Sequence, residues 1–313
     1  MRTIEGVFSA LVTPLDDERL NERVLRKLVE FHLGNGLAGF FLCGSTGQGI
    51  LLSVAERRRV AEVVVEQNRG RGIVIVHAGA PSTRDVADLA RHAEQLGADA
   101  VASLPPFYFK VDRAAIIEHY RTIAQATSLP LLMYHIPNLT QVRVTTDLVR
   151  ELLGVGNFVG MKYTDYDLYH MQNLIKASPR PLIILSGAEE MFFPALTMGA
   201  QGSIGTAQNC LPWAFAEIFR AYRAGDYGRG RRLQELANNV IALLDSCPPG
   251  LATTHDALAL LGFPCGSLRQ PLRDLTERER EEFRSLLDRS GFFALQSEAA
   301  LEASGLAAGM ASQ

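Results

Sequence analysis

The stretch LPLLMYHIPNLTQVRVTTDLVRELLGVGNFVGMKYT, residues 129–164, holds two short apolar runs on either side of one amphipathic stretch. Neither run, 129–134 or 158–162, alternates polar with apolar residues, which is how a strand buried on both faces reads. The segment between them, 146–153, has a helical pattern. Strand, helix and strand in that order make a parallel βαβ unit, because parallel neighbours need a crossover.

The same unit recurs in both directions. Strands are predicted at 6–12, 39–43, 73–78, 100–104, 182–186 and 202–205, with helices at 22–34, 54–68, 83–96, 114–126, 168–177, 189–198 and 212–223. Asp16, Ser53 and Ser82 or Thr83 stand near helix starts, and Gly36, Gly97 and Gly199 close helices before the next strand. Eight βα units in about 225 residues fit an α/β fold of the (β/α)8 TIM barrel type. A doubly wound sheet is the alternative, weakened because no dinucleotide fingerprint follows the first strand.

After Arg223 the strand pattern stops, and helices are predicted at 228–244, 250–261 and 276–290. The expected organisation is a barrel over 1–225, a C-terminal helical extension over 226–297, and a loosely ordered, Ala-rich tail over 298–313.

Composition bounds the function. The chain has 313 residues, 47% hydrophobic and 21% charged, which is normal for a soluble globular protein that needs no disulfide or metal staple. A net charge of −3 and a pI near 6.2 leave no basic footprint for nucleic acid. No apolar run is long enough to span a bilayer, and the N-terminal Met-Arg-Thr-Ile-Glu does not read as a signal peptide. Cys43, Cys210, Cys247 and Cys265 form no CxxC pair, which fits a cytoplasmic protein. The seven histidines show no metal-ligand spacing, so no metal site is expected.

In a barrel the active site lies at the C-terminal ends of the strands. Only four of the 31 basic residues are lysine (Lys27, Lys110, Lys162 and Lys176), and Lys162 alone ends a predicted strand. Desolvation at such a place favours the neutral amine that attack on a carbonyl requires. The competing reading pairs Lys162 with a buried carboxylate.

Tyr134 ends the neighbouring strand, where a phenol can carry protons; an ordinary core tyrosine is the alternative. Alternation points His135 away from it. Gly44-Ser45-Thr46-Gly47-Gln48-Gly49 is a Gly-framed turn with amides and hydroxyls suited to a carboxylate, or simply a βα turn. Tyr108, in the loop after the fourth strand, extends a proton relay or serves as an interface aromatic. Ser186-Gly187-Ala188-Glu189-Glu190 and Gly205-Thr206-Ala207 end the last two strands and can meet the polar tail of a substrate. The bland reading of the paired acids is a favourable meeting with a helix dipole.

Taken together, Gly44-Ser45-Thr46-Gly47, Pro106-Phe107-Tyr108, Tyr134 with Ile136-Pro137, and Gly160-Met161-Lys162 occur in one order. In this the chain resembles, from Gly6 to about Ser290, the pyruvate-dependent class I lyase family of dihydrodipicolinate synthase and N-acetylneuraminate lyase. The resemblance implies that Lys162 forms an imine with pyruvate while Ser45 and Thr46, in the turn with Gly47, hold its carboxylate. It implies that Tyr134 moves the proton, and that Tyr108 completes a Ser45–Tyr134–Tyr108 relay across a dimer interface. It also implies a homotetramer built as a dimer of dimers, with no cofactor.

Residues 134–140 and 162–169 look more like the sialic acid lyases. On that reading Thr164, Gly187, Glu189, Glu190 and Thr206 contact a polyol, and the partner of pyruvate is a sugar aldehyde. Dihydrodipicolinate synthase, which condenses pyruvate with aspartate semialdehyde, is the alternative. It usually has an Arg where this chain has Leu139, and without that cation a second carboxylate lacks a partner. Gln48, His135 and Glu189 replace the usual Glu, Asn and Asp, so an aldolase or dehydratase for another 2-oxo-3-deoxy sugar acid is a further alternative.

Overall fold

The computed structural model describes residues 2–246 and 250–306. Eight parallel strands close into a barrel: β1 (Gly6–Ala10), β2 (Gly39–Leu42), β3 (Ile73–His77), β4 (Ala100–Ser103), β5 (Leu131–His135), β6 (Phe158–Tyr163), β7 (Ile183–Ser186) and β8 (Gly202–Gly205). Each pairs with its sequence neighbours, and β8 returns to β1. The fold is the expected (β/α)8 barrel with helices following it.

Seven helices of the wall are α1 (Glu22–Gly34), α2 (Val54–Asn68), α3 (Thr83–Leu96), α4 (Arg113–Ala126), α5 (Thr146–Leu153), α6 (Leu168–Ala177) and α7 (Phe192–Thr197). The eighth is α8 (Pro212–Ala224). Their starts are set by side chains that accept otherwise orphaned amide hydrogens: Asn21, Asp112, Thr145 and Asp167, and Ser53 in a capping box with Glu56.

Two apolar layers follow from the strand pattern. Phe8, Phe41, Ile75, Ala102, Leu132, Tyr134, Leu185 and Ile204 fill the barrel, and the opposite faces of the strands pack against the helices. The C-terminal helices α9 (Tyr227–Ser246), α10 (Gly250–Leu260) and α11 (Glu277–Arg289) add Leu233, Val240, Leu258, Phe283 and Leu287 to that outer layer. They share the core of the barrel wall.

Three local features differ from expectation. The helix predicted over 189–198 begins as a 3-10 turn, Glu189–Met191, because Glu189 is drawn back toward β8. A two-stranded ribbon, Leu15–Asp16 with Arg19–Leu20, follows β1. In the segment expected to be loosely ordered, Glu298–Ala303 is a short helix capped by Ser297, with Leu301 fully buried. Residues 307–313 of that segment lie outside the described residues, as does Cys247.

Candidate active site

Lys162 lies one residue from the end of β6, in register with Tyr134 on β5 and Leu185 on β7. Alternation turns it into the mouth of the barrel, and only 4% of its surface is exposed. Its Nζ stands 4.4 Å from the centroid of the Tyr134 ring and 4.8 Å from that of Phe41. Contact with two ring faces offsets part of the cost of burying the Lys162 head group. Among the described residues no carboxylate lies within ion-pair distance of it, although the buried Glu189 carboxyl feels its charge.

Tyr134 is held from behind. The rings of Phe41 and His77 meet it edge-on at 5.6 Å and 5.5 Å. Its hydroxyl points the other way and lies 3.4 Å from Ser45 Oγ. Ser45 stands in the turn after β2, closed by Gln48 N–H donating to the Ser45 carbonyl and Gly49 N–H to that of Gly44.

That turn is strained at both ends, since Cys43 (φ +56°) and Gln48 (φ +55°) occupy the left-handed region without being glycine. Three buried groups hold it. The His77 ring donates from Nδ1 to the Cys43 carbonyl at 2.9 Å, and Thr13 donates to the Gly47 carbonyl at 2.7 Å. Gln48 Oε1 accepts from Arg269 N–H at 2.7 Å. Arg57 anchors β3 beneath His77 by donating to the carbonyls of His77 and Gly79. Burial, then the charge of Arg57, pushes His77 down to about 3, so it serves as a neutral donor. Thr46 Oγ1 pairs with Thr206 Oγ1 at 2.7 Å, tying the second strand end to the eighth.

Beside Lys162 a cleft of about 410 Å³ opens between the ends of β5, β6, β7 and α9. Asp165, Glu189, Glu190 and Asp245 line it, together with Asn138, Thr164, Tyr166, Gly187 and Thr206. Two glycines make room. A Cβ on Gly187 would meet Thr164 Oγ1 at 1.9 Å and Lys162 Cε at 3.0 Å, and one on Gly205 would meet Glu189 Oε2 at 2.6 Å. Glu189 Oε1 accepts from the amides of Thr206 and Ala207 at 3.0 Å and 2.8 Å. Glu190 accepts from the Tyr166 hydroxyl. The backbone of this acidic turn is fixed from α9, where Gln234 donates to the Glu189 carbonyl and Asn238 to that of Glu190. The C-terminal helices thereby brace the mouth of the barrel.

Burial pushes the Glu189 carboxyl up to about 7, against the opposing pull of the Ala207 amide. A raised carboxyl pKa means that the folded state resists ionisation, so it loses stability as pH rises from the unfolded value toward 7. Glu189→Gln keeps an acceptor for the two amides and removes the titration. Melting temperatures of the two proteins are therefore expected to diverge between pH 5 and about pH 7.5, with the wild type falling relative to the variant. A difference that is constant with pH contradicts this.

The sequence-predicted residues Lys162, Tyr134, Ser45, Thr46, Gly47, Thr164, Gly187, Glu189, Glu190 and Thr206 converge on this one mouth. Tyr108 does not join them within the chain: it stands on a loop with φ +74° and is 89% exposed. Sequence reasoning missed Phe41, His77, Asp165, Tyr166 and Asp245. The signal for Asp165 and Tyr166 was their place just after Lys162, whereas Asp245 comes from a helix whose docking no local pattern reveals. His135 is buried on the other face of β5, its ring 4.9 Å from that of Tyr163 and its Nε2 3.8 Å from Asp165. Among the described residues there is no cluster of His, Cys, Asp and Glu able to hold a metal, and no helix long and apolar enough to cross a membrane.

Comparison with known proteins gives a consistent result. The sequence model of the dihydrodipicolinate synthetase family matches residues 3–290. An N-acetylneuraminate lyase of Salmonella agona is 35% identical over 281 residues, covering 88% of this chain and 94% of that protein. Among solved structures, CdNal of Clostridium difficile, in complex with mannosamine, superimposes with a TM-score of 0.88 at 27% identity, over 92% of this chain and 100% of that one. Dihydrodipicolinate synthase of Aquifex aeolicus superimposes with 0.87 at 28% identity, over 92% and 99%.

Proposed function

Because the chain belongs to the dihydrodipicolinate synthetase family, and is thus a pyruvate-dependent class I carbon–carbon lyase, we propose that Lys162 captures pyruvate as an imine and joins it to, or releases it from, a sugar aldehyde. The observation that carries this reading is a lysine amine with no ion-pair partner among the described residues, at the mouth of the barrel and over the ring of Tyr134.

The pyruvate carboxylate sits in the turn after β2, on the hydroxyls of Ser45 and Thr46 and the amides of Thr46 and Gly47. Its carbonyl carbon then faces Lys162. Attack by the neutral amine gives a carbinolamine, and Tyr134 supplies the proton that leaves with its hydroxyl as water. The resulting cation acidifies the methyl group, and loss of one methyl proton gives an enamine. The enamine carbon attacks the aldehyde carbon, the new alkoxide takes a proton, and water hydrolyses the imine to free Lys162. Cleavage runs the same steps backwards.

Tyr108 joins the proton relay of a second copy. Its exposure, with that of Phe109, Val111 and Leu139 beside it, is the kind of apolar patch that an interface covers. This supports a homodimer as the unit of function, with a homotetramer as its pair.

The aldehyde lies in the acid-lined cleft, its hydroxyls donating to Glu190 and Thr164 and to the turn at Glu189. Among the described residues no cation lines that cleft for a second carboxylate, and Leu139 stands 64% exposed beside Tyr108 rather than in it. Both observations favour a polyol over aspartate semialdehyde. Purified protein is expected to release pyruvate, followed with a lactate dehydrogenase couple, from at least one member of a panel of 2-oxo-3-deoxy sugar acids that includes N-acetylneuraminate. Release from none of them, with ready turnover of pyruvate and aspartate semialdehyde, contradicts the sugar reading.

A further inference from the structure

The Tyr134 ring and the turn that carries Ser45 share one neighbour, His77, at the last position of β3. Alternation from Ile73 and Ile75 turns it into the barrel, where it is buried edge-on to Tyr134 at 5.5 Å and beside Phe41 at 5.7 Å. The Cys43 carbonyl, 2.9 Å from Nδ1, can only accept, so Nδ1 carries the proton of the neutral ring. Burial, followed by the charge of Arg57, keeps that ring neutral. Nε2 has no hydrogen-bond partner among the described residues, and Gly79 passes so close that a Cβ there would meet it at 2.6 Å. The imine chemistry described above uses neither nitrogen.

What the ring holds is the strained start of the turn. Cys43, at φ +56°, lacks a glycine's freedom and stays in the left-handed region only if its surroundings fix it there. His77 does so through the Cys43 carbonyl, and Arg57 in turn holds His77. The buried guanidinium donates to the carbonyls of His77 at 2.6 Å and Gly79 at 2.9 Å. Arg57 belongs to α2, the helix into which the Ser45 turn leads. The circuit therefore closes: the turn runs from Cys43 to α2, Arg57 returns from α2 to β3, and His77 returns from β3 to Cys43. Just beyond Cys43, Ser45 Oγ stands 3.4 Å from the hydroxyl of the same Tyr134 whose ring His77 meets. One imidazole thus bears on both members of the Ser45–Tyr134 pair.

Resting on the reading of Lys162 as the imine-forming amine, we propose that His77 is a positioning residue for that reaction. Its Nδ1–H sets the Ser45–Gly47 turn that receives the pyruvate carboxylate, and its ring contact sets the Tyr134 hydroxyl, so that both face Lys162 in one register. His77 touches neither pyruvate nor the reacting atoms and moves no proton. A misplacement of about 1 Å in such a supporting group costs up to about 100-fold in rate. A histidine that only filled the barrel would carry no requirement for a donor at Nδ1.

The test places two amides at this position in the full-length protein and follows borohydride trapping on Lys162 as pyruvate concentration is varied. His77→Asn puts an N–H where Nδ1 stands, whereas His77→Gln puts it where Nε2 stands. The Asn variant is expected to stay within about 3-fold of the wild type in half-saturating pyruvate and in maximal trapping rate. The Gln variant should need about 10-fold more pyruvate, or trap about 10-fold more slowly, or both. His77→Leu, which keeps bulk without a donor, should behave as Gln does and replaces it if that variant does not fold. The pH profile of trapping should keep its wild-type position in the Asn variant. Equal values for Asn and its comparison variant, whether both near the wild type or both impaired, overturn the proposal. So does a displaced pH profile, or failure of the Asn variant to fold. An adduct on wild-type Lys162 with any of these results overturns this inference alone, whereas absence of the wild-type adduct overturns the imine reading beneath it.

Discussion

Lys162→Met is expected to lower kcat/KM for pyruvate release by about 10⁴-fold or more, equivalent to about 5.4 kcal/mol of lost transition-state stabilisation. Methionine is unbranched and close to lysine in length, so it refills the space over the rings of Phe41 and Tyr134. What it removes is the amine proposed as the nucleophile, and among the described residues no other lysine lies in the mouth. Lys27 and Lys176 lie on α1 and α6, and Lys110 on the exposed loop after β4. The same change takes a polar head group without an ion-pair partner out of a site that is 4% exposed, so stability should hold or rise. Loss of activity with an unchanged or higher Tm identifies a functional lysine. A variant that melts early, or retains a tenth of the activity, contradicts the assignment.

Tyr134→Phe should have the second largest effect, a drop in kcat of about 10²–10³-fold, within the range for loss of a positioned proton carrier. The ring remains, so its edge contacts with Phe41 and His77 and its face toward Lys162 survive. Only the hydroxyl is lost, together with its 3.4 Å approach to Ser45. Imine formation becomes slow rather than absent, because water in an open mouth can carry protons less efficiently. Pre-steady-state trapping should therefore show the pyruvate adduct still forming, with a rate that has lost the wild-type pH dependence. A decrease of less than about 10-fold, with the pH profile intact, reduces Tyr134 to a core aromatic.

The parts of the protein that were legible in the sequence share one physical cause. Strands buried on both faces must be continuously apolar, so the eight barrel strands stood out and their ends located the mouth. A polar residue at such an end is conspicuous, which is why Lys162, Tyr134 and Thr206 were found. The proline and glycine punctuation that marks loop chemistry gave Ser45 to Gly47 in the same way.

Less legible were features set by contacts distant in sequence. Asp245 reaches the cleft because α9 packs on α8 and donates hydrogen bonds to the turn at Glu189, and neither relation has a local signature. The 3-10 start of the segment after β7 follows from two amides of the β8 loop, which capture Glu189 across the strand gap. Tyr108 stands 89% exposed and away from the mouth, which its place in the loop after β4 did not reveal. Glu298–Ala303 looked too Ala-rich to bury anything, yet Ser297 caps it and Leu301 anchors it.

The central claim is that the Lys162 amine forms the covalent bond to the 2-oxo acid. Incubation of the full-length protein with pyruvate and borohydride, followed by peptide mass mapping, tests it most directly. The account predicts one reduced pyruvyl adduct per chain, on the peptide that contains Lys162 and absent without pyruvate. An adduct on Lys27, Lys110 or Lys176, or none at all from folded protein, would contradict it.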